Sequence, residues 1–241
     1  MRKSVLLAGV TLLLGLAGGA NAAVIATYNP VDTNSNLTMA GTVLSATNVP
    51  VTFNFLPTAL AALGNLSATL NLSANEVSSG TVPFDFATFD GSFFLTYSGP
   101  TKTVGNFTVN PKDVLLQGSF MNAAFTGGGG VGSLLGSSTA PGSTVNFVNN
   151  SFLTFTGAGD EDVSIGMAGI NPAVAVVAGG LAPFGANSQG IFSADGSAVT
   201  SGNVTTPITG VPEPASWALM LTGILSIGIG LRYSRRDEAT A

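Results

Sequence analysis

The sequence predicts an all-β domain, a β-sandwich of jelly-roll or immunoglobulin-like kind, carried ahead of a C-terminal single transmembrane helix. Three observations lead there. Short runs of period-two alternation recur along the chain and are separated by Gly, Pro, Asn, Asp or Ser. Only one stretch has the look of a helix. A single uncharged apolar segment near the end is long enough to cross a bilayer.

The clearest strand is Leu66-Ser67-Ala68-Thr69-Leu70-Asn71-Leu72-Ser73, apolar on one face and polar on the other. Val51, Phe53 and Phe55 alternate with Thr52 and Asn54 in the same way. Further strands are expected at 24–28, 37–43, 82–86, 92–97, 105–109, 114–120, 144–147, 152–156, 163–168 and 190–194. One covered face per strand suits antiparallel sheets packed face to face. Residues 57–63 read as a short helix that stops at Gly64. Residues 127–142, rich in glycine, read as a mobile loop. Asp90-Gly91 and Asp195-Gly196 read as hairpin dipeptides.

Composition excludes more than it suggests. The chain has no histidine and no cysteine. That removes Ser-His-Asp and Cys-His nucleophilic sites, histidine zinc sites and disulfides together. Between Lys3 and Arg232 the only basic residues are Lys102 and Lys112, set against Asp32, Glu76, Asp85, Asp90, Asp113, Asp160, Glu161, Asp162 and Asp195. Such a chain has no electrostatic footprint for nucleic acid. Gly127 to Gly132 satisfies GxGxxG only by being nearly all glycine, with no strand–helix context for a nucleotide. The acidic cluster Asp160-Glu161-Asp162 is a candidate Ca²⁺ site, because hard cations take carboxylate oxygens, although its spacing fits no EF-hand or nonapeptide loop. No other cofactor is expected. A glycosidase needs two carboxylates about 5 to 9.5 Å apart across a cleft, and the sequence singles out no such pair.

The ends carry the targeting information. Arg2 and Lys3 precede an apolar run, and Ala20-Asn21-Ala22 forms an A-x-A site with cleavage between Ala22 and Ala23. That is the pattern of a signal peptide, residues 1–22, handled by the Sec machinery and signal peptidase. At the other end, Val211-Pro212-Glu213-Pro214 should be stiff and extended, since each proline restricts both itself and its predecessor. An uncharged run follows from Ala215 through Trp217, Leu221 and Leu225 to Leu231, about 26 Å long as a helix. Arg232, Arg235 and Arg236 close it and favour the cytoplasmic side.

This order of tripeptide, span and basic stop resembles the PEP-CTERM sorting signal, which exosortases read in Gram-negative bacteria that make exopolysaccharide. The resemblance covers residues 211–236 alone. It implies transient anchoring in the inner membrane, cutting by an exosortase near Pro212-Glu213-Pro214, and delivery to the cell surface or extracellular matrix. The expected layout is therefore a signal peptide (1–22), a β-sandwich domain (23–199), a linker (200–210), the sorting signal (211–236) and a cytoplasmic tail (237–241). The expected role is a non-enzymatic surface or matrix component associated with exopolysaccharide or biofilm. The rivals are a calcium-assisted polysaccharide-binding module and an exported glycoside hydrolase.

Overall fold

The computed structural model describes residues 22–32, 36–80, 85–128, 130–155, 159–195, 197–201 and 204–207. In chain order the elements are β1 (Ala23–Pro30), β2 (Leu37–Ala40), β3 (Val43–Phe55), α1 (Thr58–Ala61), β4 (Leu66–Gly80), β5 (Asp85–Tyr97), β6 (Lys102–Val104), β7 (Phe107–Val109) and β8 (Val114–Gly128). They continue with β9 (Val131–Ser137), β10 (Thr144–Phe147), β11 (Leu153–Phe155), β12 (Glu161–Asn171), β13 (Val176–Val177), β14 (Gly180–Leu181), β15 (Phe184–Ala194), β16 (Ser197–Ser201) and β17 (Val204–Pro207). The protein is all-β, as its alternation implies.

The architecture is a closed barrel where two packed sheets were expected. Strands β3, β4, β5, β8, β9, β12 and β15 form an antiparallel meander, each paired with the one before it in that series. β1 then pairs with both β15 and β3, which closes an eight-stranded ring. β2 makes the same two pairings at the other end of that gap, so β1 and β2 act as one interrupted strand. Alternation records which face of a strand is covered and is the same in a sandwich and a barrel. Closure comes instead from bends. Register shifts interrupt the ladders at Ala46/Val49, Glu76/Ser78, Phe89/Gly91 and Ala168/Asn171. Bulges of this kind increase local twist and curve a sheet towards closure.

Inside, the barrel is filled with aromatic rings. Phe93 of β5 stacks on Phe192 of β15 at 4.9 Å, and Tyr28 and Phe147 lie 6.0 and 6.2 Å from the same ring. A second group joins Phe89, Phe125 and Phe184. Eight strands leave an interior just wide enough for side chains to fill. Outside, the same strands present Ser67, Thr69, Ser73, Ser92, Thr96, Gln117 and Ser119, hydroxyls and amides in place of charges.

The glycine-rich stretch is not a loop. β8 and β9 form a hairpin through it, and β9 is a full barrel stave. Gly127, Gly132 and Gly136 make room for neighbours, whereas Gly128 and Gly142 face open space. A Cβ on Gly136 would stand 2.9 Å from Val163 Cγ1 and 3.0 Å from Val145 Cγ2, while one on Gly127 would stand 2.8 Å from Val174 Cγ2. Asp90-Gly91 is likewise no hairpin turn but the middle of β5. There a Cβ on Gly91 would come within 2.5 Å of Ala74 Cβ on the adjacent strand. The short helix α1 forms as expected, with Gly64 beyond it at φ +61°.

Smaller pieces decorate the barrel: the hairpins β6–β7 and β13–β14, and the three-stranded sheet β11–β16–β17. β16 and β17 run through part of the stretch read as a linker, where Val and Thr support a strand pair. No helix among the described residues is long and apolar enough to cross a membrane.

Candidate functional site

The expected sorting residues Val211, Pro212, Glu213, Pro214, Ala215, Trp217, Leu221, Leu225, Leu231, Arg232, Arg235 and Arg236 lie outside the described residues. Ala22 is the first described residue at the N-terminus, and Ala23 opens β1 opposite Ala194.

Asp160, Glu161 and Asp162 are neighbours in sequence but do not share one task. Asp160 uses its backbone carbonyl to accept the N–H of Asp195. Glu161 and Asp162 are consecutive strand residues, which project to opposite faces. Asp162 stands in register between Ser137 and Ser193. The Glu161 carboxylate accepts the Phe147 N–H at 2.6 Å, and its own N–H donates to Ser138 Oγ at 2.7 Å. Glu161 thus caps a backbone donor of β10. Among the described residues no group of three or more acidic side chains is gathered around a point that could hold a metal ion.

Other carboxylates are employed in the same manner. Asp90 accepts the Asn122 N–H at 2.7 Å, Asp113 the Asn110 N–H at 2.7 Å, and Glu76 the Leu181 N–H at 3.0 Å. Each ties a turn, bulge or accessory hairpin to its neighbour by a charge-assisted bond.

Burial raises the Glu161 carboxyl above its ordinary value of 4.5, and the Phe147 N–H bond only partly opposes it. A raised folded-state pKa stabilises the fold below the unfolded value and loses that contribution as pH rises through the folded one. Charged Glu161 is therefore a cost at neutral pH. Glu161→Gln keeps an oxygen for Phe147, and is expected to match or exceed the parent's stability at pH 7 and to lose that advantage near pH 4. Glu161→Ala leaves the N–H without an acceptor and is expected to cost about 1 kcal/mol. Urea denaturation across pH 4–7 reads both. An advantage of Glu161→Gln that grows as pH falls would contradict the assignment.

A buried polar chain marks the break between β1 and β2. Tyr28 Oη donates to Ser188 Oγ at 3.2 Å, and Ser188 Oγ donates to Asn36 Oδ1 at 3.0 Å. The same Asn36 oxygen accepts the Ser188 N–H at 2.8 Å, while Asn36 Nδ2 donates to Asn187 Oδ1 at 3.0 Å. On the edge shared by β1 and β2, β15 has no partner beside Ser188, since β1 pairs with 190–194 and β2 with 184–186, while Met167 of β12 pairs with Ser188 on the other edge. Asn36 supplies the acceptor that a strand would have supplied. Burial pushes the Tyr28 phenol upward, so it stays protonated as a donor. The chain contains a serine hydroxyl but no group basic enough to take its proton. Its work is structural, and every buried side-chain polar atom among the described residues finds a partner.

The third feature is on the outer wall. At the bulge between Ala46 and Val49, β3 draws away from β4 and leaves a depression of about 210 Å³, lined by Ala46, Thr47, Asn71, Leu72, Ser73, Ser92 and Phe94. Phe94 is 43% exposed. It stands directly between Asn71 of β4 and Gln117 of β8. Asn71 is held by Asn48, which donates its N–H to Asn71 Oδ1 at 3.0 Å and accepts from Nδ2 at 3.3 Å. Nothing in the lining is ionisable.

Sequence reasoning does not single out Phe94. The signal was present: Phe93, Leu95 and Tyr97 alternate inward, which puts Phe94 outward with Ser92 and Thr96. The tyrosines of the barrel present no exposed ring. Tyr28 and Tyr97 are both buried, and the Tyr97 hydroxyl donates to the Pro100 carbonyl at 2.7 Å.

No protein-family model matches the chain, and no curated protein or solved structure matches it either.

Proposed function

We propose that this protein is an exported surface or extracellular-matrix component, processed by an exosortase and acting without catalysing a reaction. The observation that carries the reading is the tail: Pro212-Glu213-Pro214, then an uncharged span from Ala215 to Leu231, then Arg232, Arg235 and Arg236. In this reading the span is a single transmembrane helix, and a transient anchor in the inner membrane. The Sec machinery and signal peptidase act first, exosortase last, and the mature protein joins exopolysaccharide outside the cell.

The barrel's limits support it. β1 opens at Ala23, directly after the expected signal-peptide cut, and β17 ends at Pro207, ahead of Val211. Both cuts therefore leave every described strand whole. The interior is packed with rings, and four carboxylates are committed to backbone donors, which suits a binding or scaffolding part better than a hydrolase.

The test is to replace Pro212-Glu213-Pro214 by three alanines in a strain that carries the exosortase. Export should persist, because the signal peptide is untouched, while an untrimmed protein accumulates in the inner membrane. Cell fractionation and blotting for the barrel distinguish the outcomes. If the altered protein is still trimmed and still reaches the surface, the segment is an ordinary anchor.

A further inference from the structure

We propose that the outer-wall depression around Phe94 binds an uncharged polysaccharide, without a metal ion. The inference rests on the exported, exopolysaccharide-associated reading above and names the surface that makes the contact.

Phe94 is out of place on this wall. Its neighbours in register are amides, and the next row is Ser73, Ser92 and Ser119. The other exposed phenylalanine of the strand has a structural reason to be there. Phe86 lies over Gly80, where a Cβ would stand 2.5 Å from its ring, and an aromatic covering a cross-strand glycine stabilises a sheet. Phe94 faces no glycine. It sits beside a depression, with part of its ring open to solvent.

The chemistry around the ring selects the ligand. Asn71 spends one donor hydrogen and one acceptor lone pair on Asn48, and an amide has one more of each. Those remaining groups are held in place by the Asn48 bond, so little order is lost on binding. Gln117 adds a second amide on the far side of the ring, with no side-chain hydrogen bond among the described residues. Ser73 and Ser92 add hydroxyls at the floor.

An aromatic ring flanked by neutral donors and acceptors complements a sugar ring, which offers a C–H face and a rim of hydroxyls. The absence of an ionisable group in the lining disfavours acidic glycans, basic peptides and nucleic acid, all of which need a counter-charge. Neighbouring strands lie about 4.8 Å apart, comparable to the length of one sugar ring, so a chain laid along this row meets an amide on β4, the Phe94 ring on β5 and an amide on β8.

The experiment is affinity electrophoresis of the full-length chain in detergent, through native gels cast with laminarin, galactomannan, hydroxyethyl cellulose or dextran. Alginate serves as the charged comparison. At least one neutral polymer should retard the protein, with or without EDTA. Phe94→Ala should weaken that retardation roughly tenfold or more, the scale of an aromatic anchor. Phe94→Leu, which keeps an apolar side chain in the strand, should do nearly the same, while Ile191→Ala, exposed on β15, should leave it unchanged.

Any of four results overturns the proposal: no retardation by a neutral polymer, retardation by alginate alone, loss of retardation in EDTA, or wild-type binding by Phe94→Leu. Binding is read on purified protein and tail trimming is read in cells, so failure of either reading is seen separately.

Discussion

Phe192→Ala is expected to lower the unfolding free energy of the barrel by about 3–5 kcal/mol, the range for deleting a fully buried aromatic ring. Phe192 is 0% exposed and sits where rings from three other strands converge: Phe93 of β5, Phe147 of β10 and Tyr28 of β1. Truncation removes the ring and leaves a hole bounded by staves that are paired on both sides and cannot readily collapse inward. In a domain of this size the loss corresponds to a fall in Tm of roughly 6–20 °C. Urea denaturation should show a lower midpoint with the slope unchanged. Phe94→Ala, on the outer face of the same barrel, should move the midpoint far less. Equal effects at the two positions would mean that the interior is not closed around Phe192.

Asn36→Ala should be nearly as severe, at about 2–4 kcal/mol, for a different reason. Asn36 Oδ1 accepts two bonds from Ser188, one from its N–H and one from its hydroxyl, at the point where β15 lacks a strand partner on its β1/β2 edge. Alanine removes the acceptor and leaves both donors buried, and each such orphan costs about 1–3 kcal/mol. Tyr28→Phe removes only a donor to the Ser188 hydroxyl, which keeps its own bond to Asn36. Its expected cost is about 1 kcal/mol. Thermal melts order the three proteins, and amide exchange at Ser188 locates the effect. If Tyr28→Phe proves as damaging as Asn36→Ala, the hydroxyl and not the broken ladder governs this corner.

Local chemistry was legible in the sequence wherever one residue's neighbours settle its orientation. The alternation at 66–73 and at 51–55 marks the inner faces of β4 and β3, and Leu66, Leu70, Val51 and Phe53 are all buried as it requires. The same reading sufficed for α1 and its glycine stop. It failed at the glycines. Glycine reads as a loop former at 127–142 and as a turn former at Gly91, whereas Gly91, Gly127, Gly132 and Gly136 are where a strand presses against side chains or backbone of another segment. A crowded Cβ position is a property of two segments far apart in the chain, so composition cannot reveal it. The surroundings of the carboxylates were hidden for a related reason. Sequence shows that Glu161 stands among acidic neighbours, and only the fold shows which backbone N–H it and Asp90 each face.

The sequence by itself determined that the protein is all-β, which face of most strands is covered, and which chemistries its missing histidines and cysteines rule out. It is also the whole source of the sorting proposal, since that signal is read along the chain. Only the tertiary structure decided that the sheet closes. β1 and β2 bridge β3 and β15 across a separation of most of the chain. Only the tertiary structure showed that the break between them is sealed by Asn36, and that Phe94 stands between two amides on the outer wall. Period-two alternation is a property of each strand alone, so it reports the face and not the neighbour. Which strand lies beside which depends on long-range backbone pairing and ring packing, and these exist only after the chain has folded.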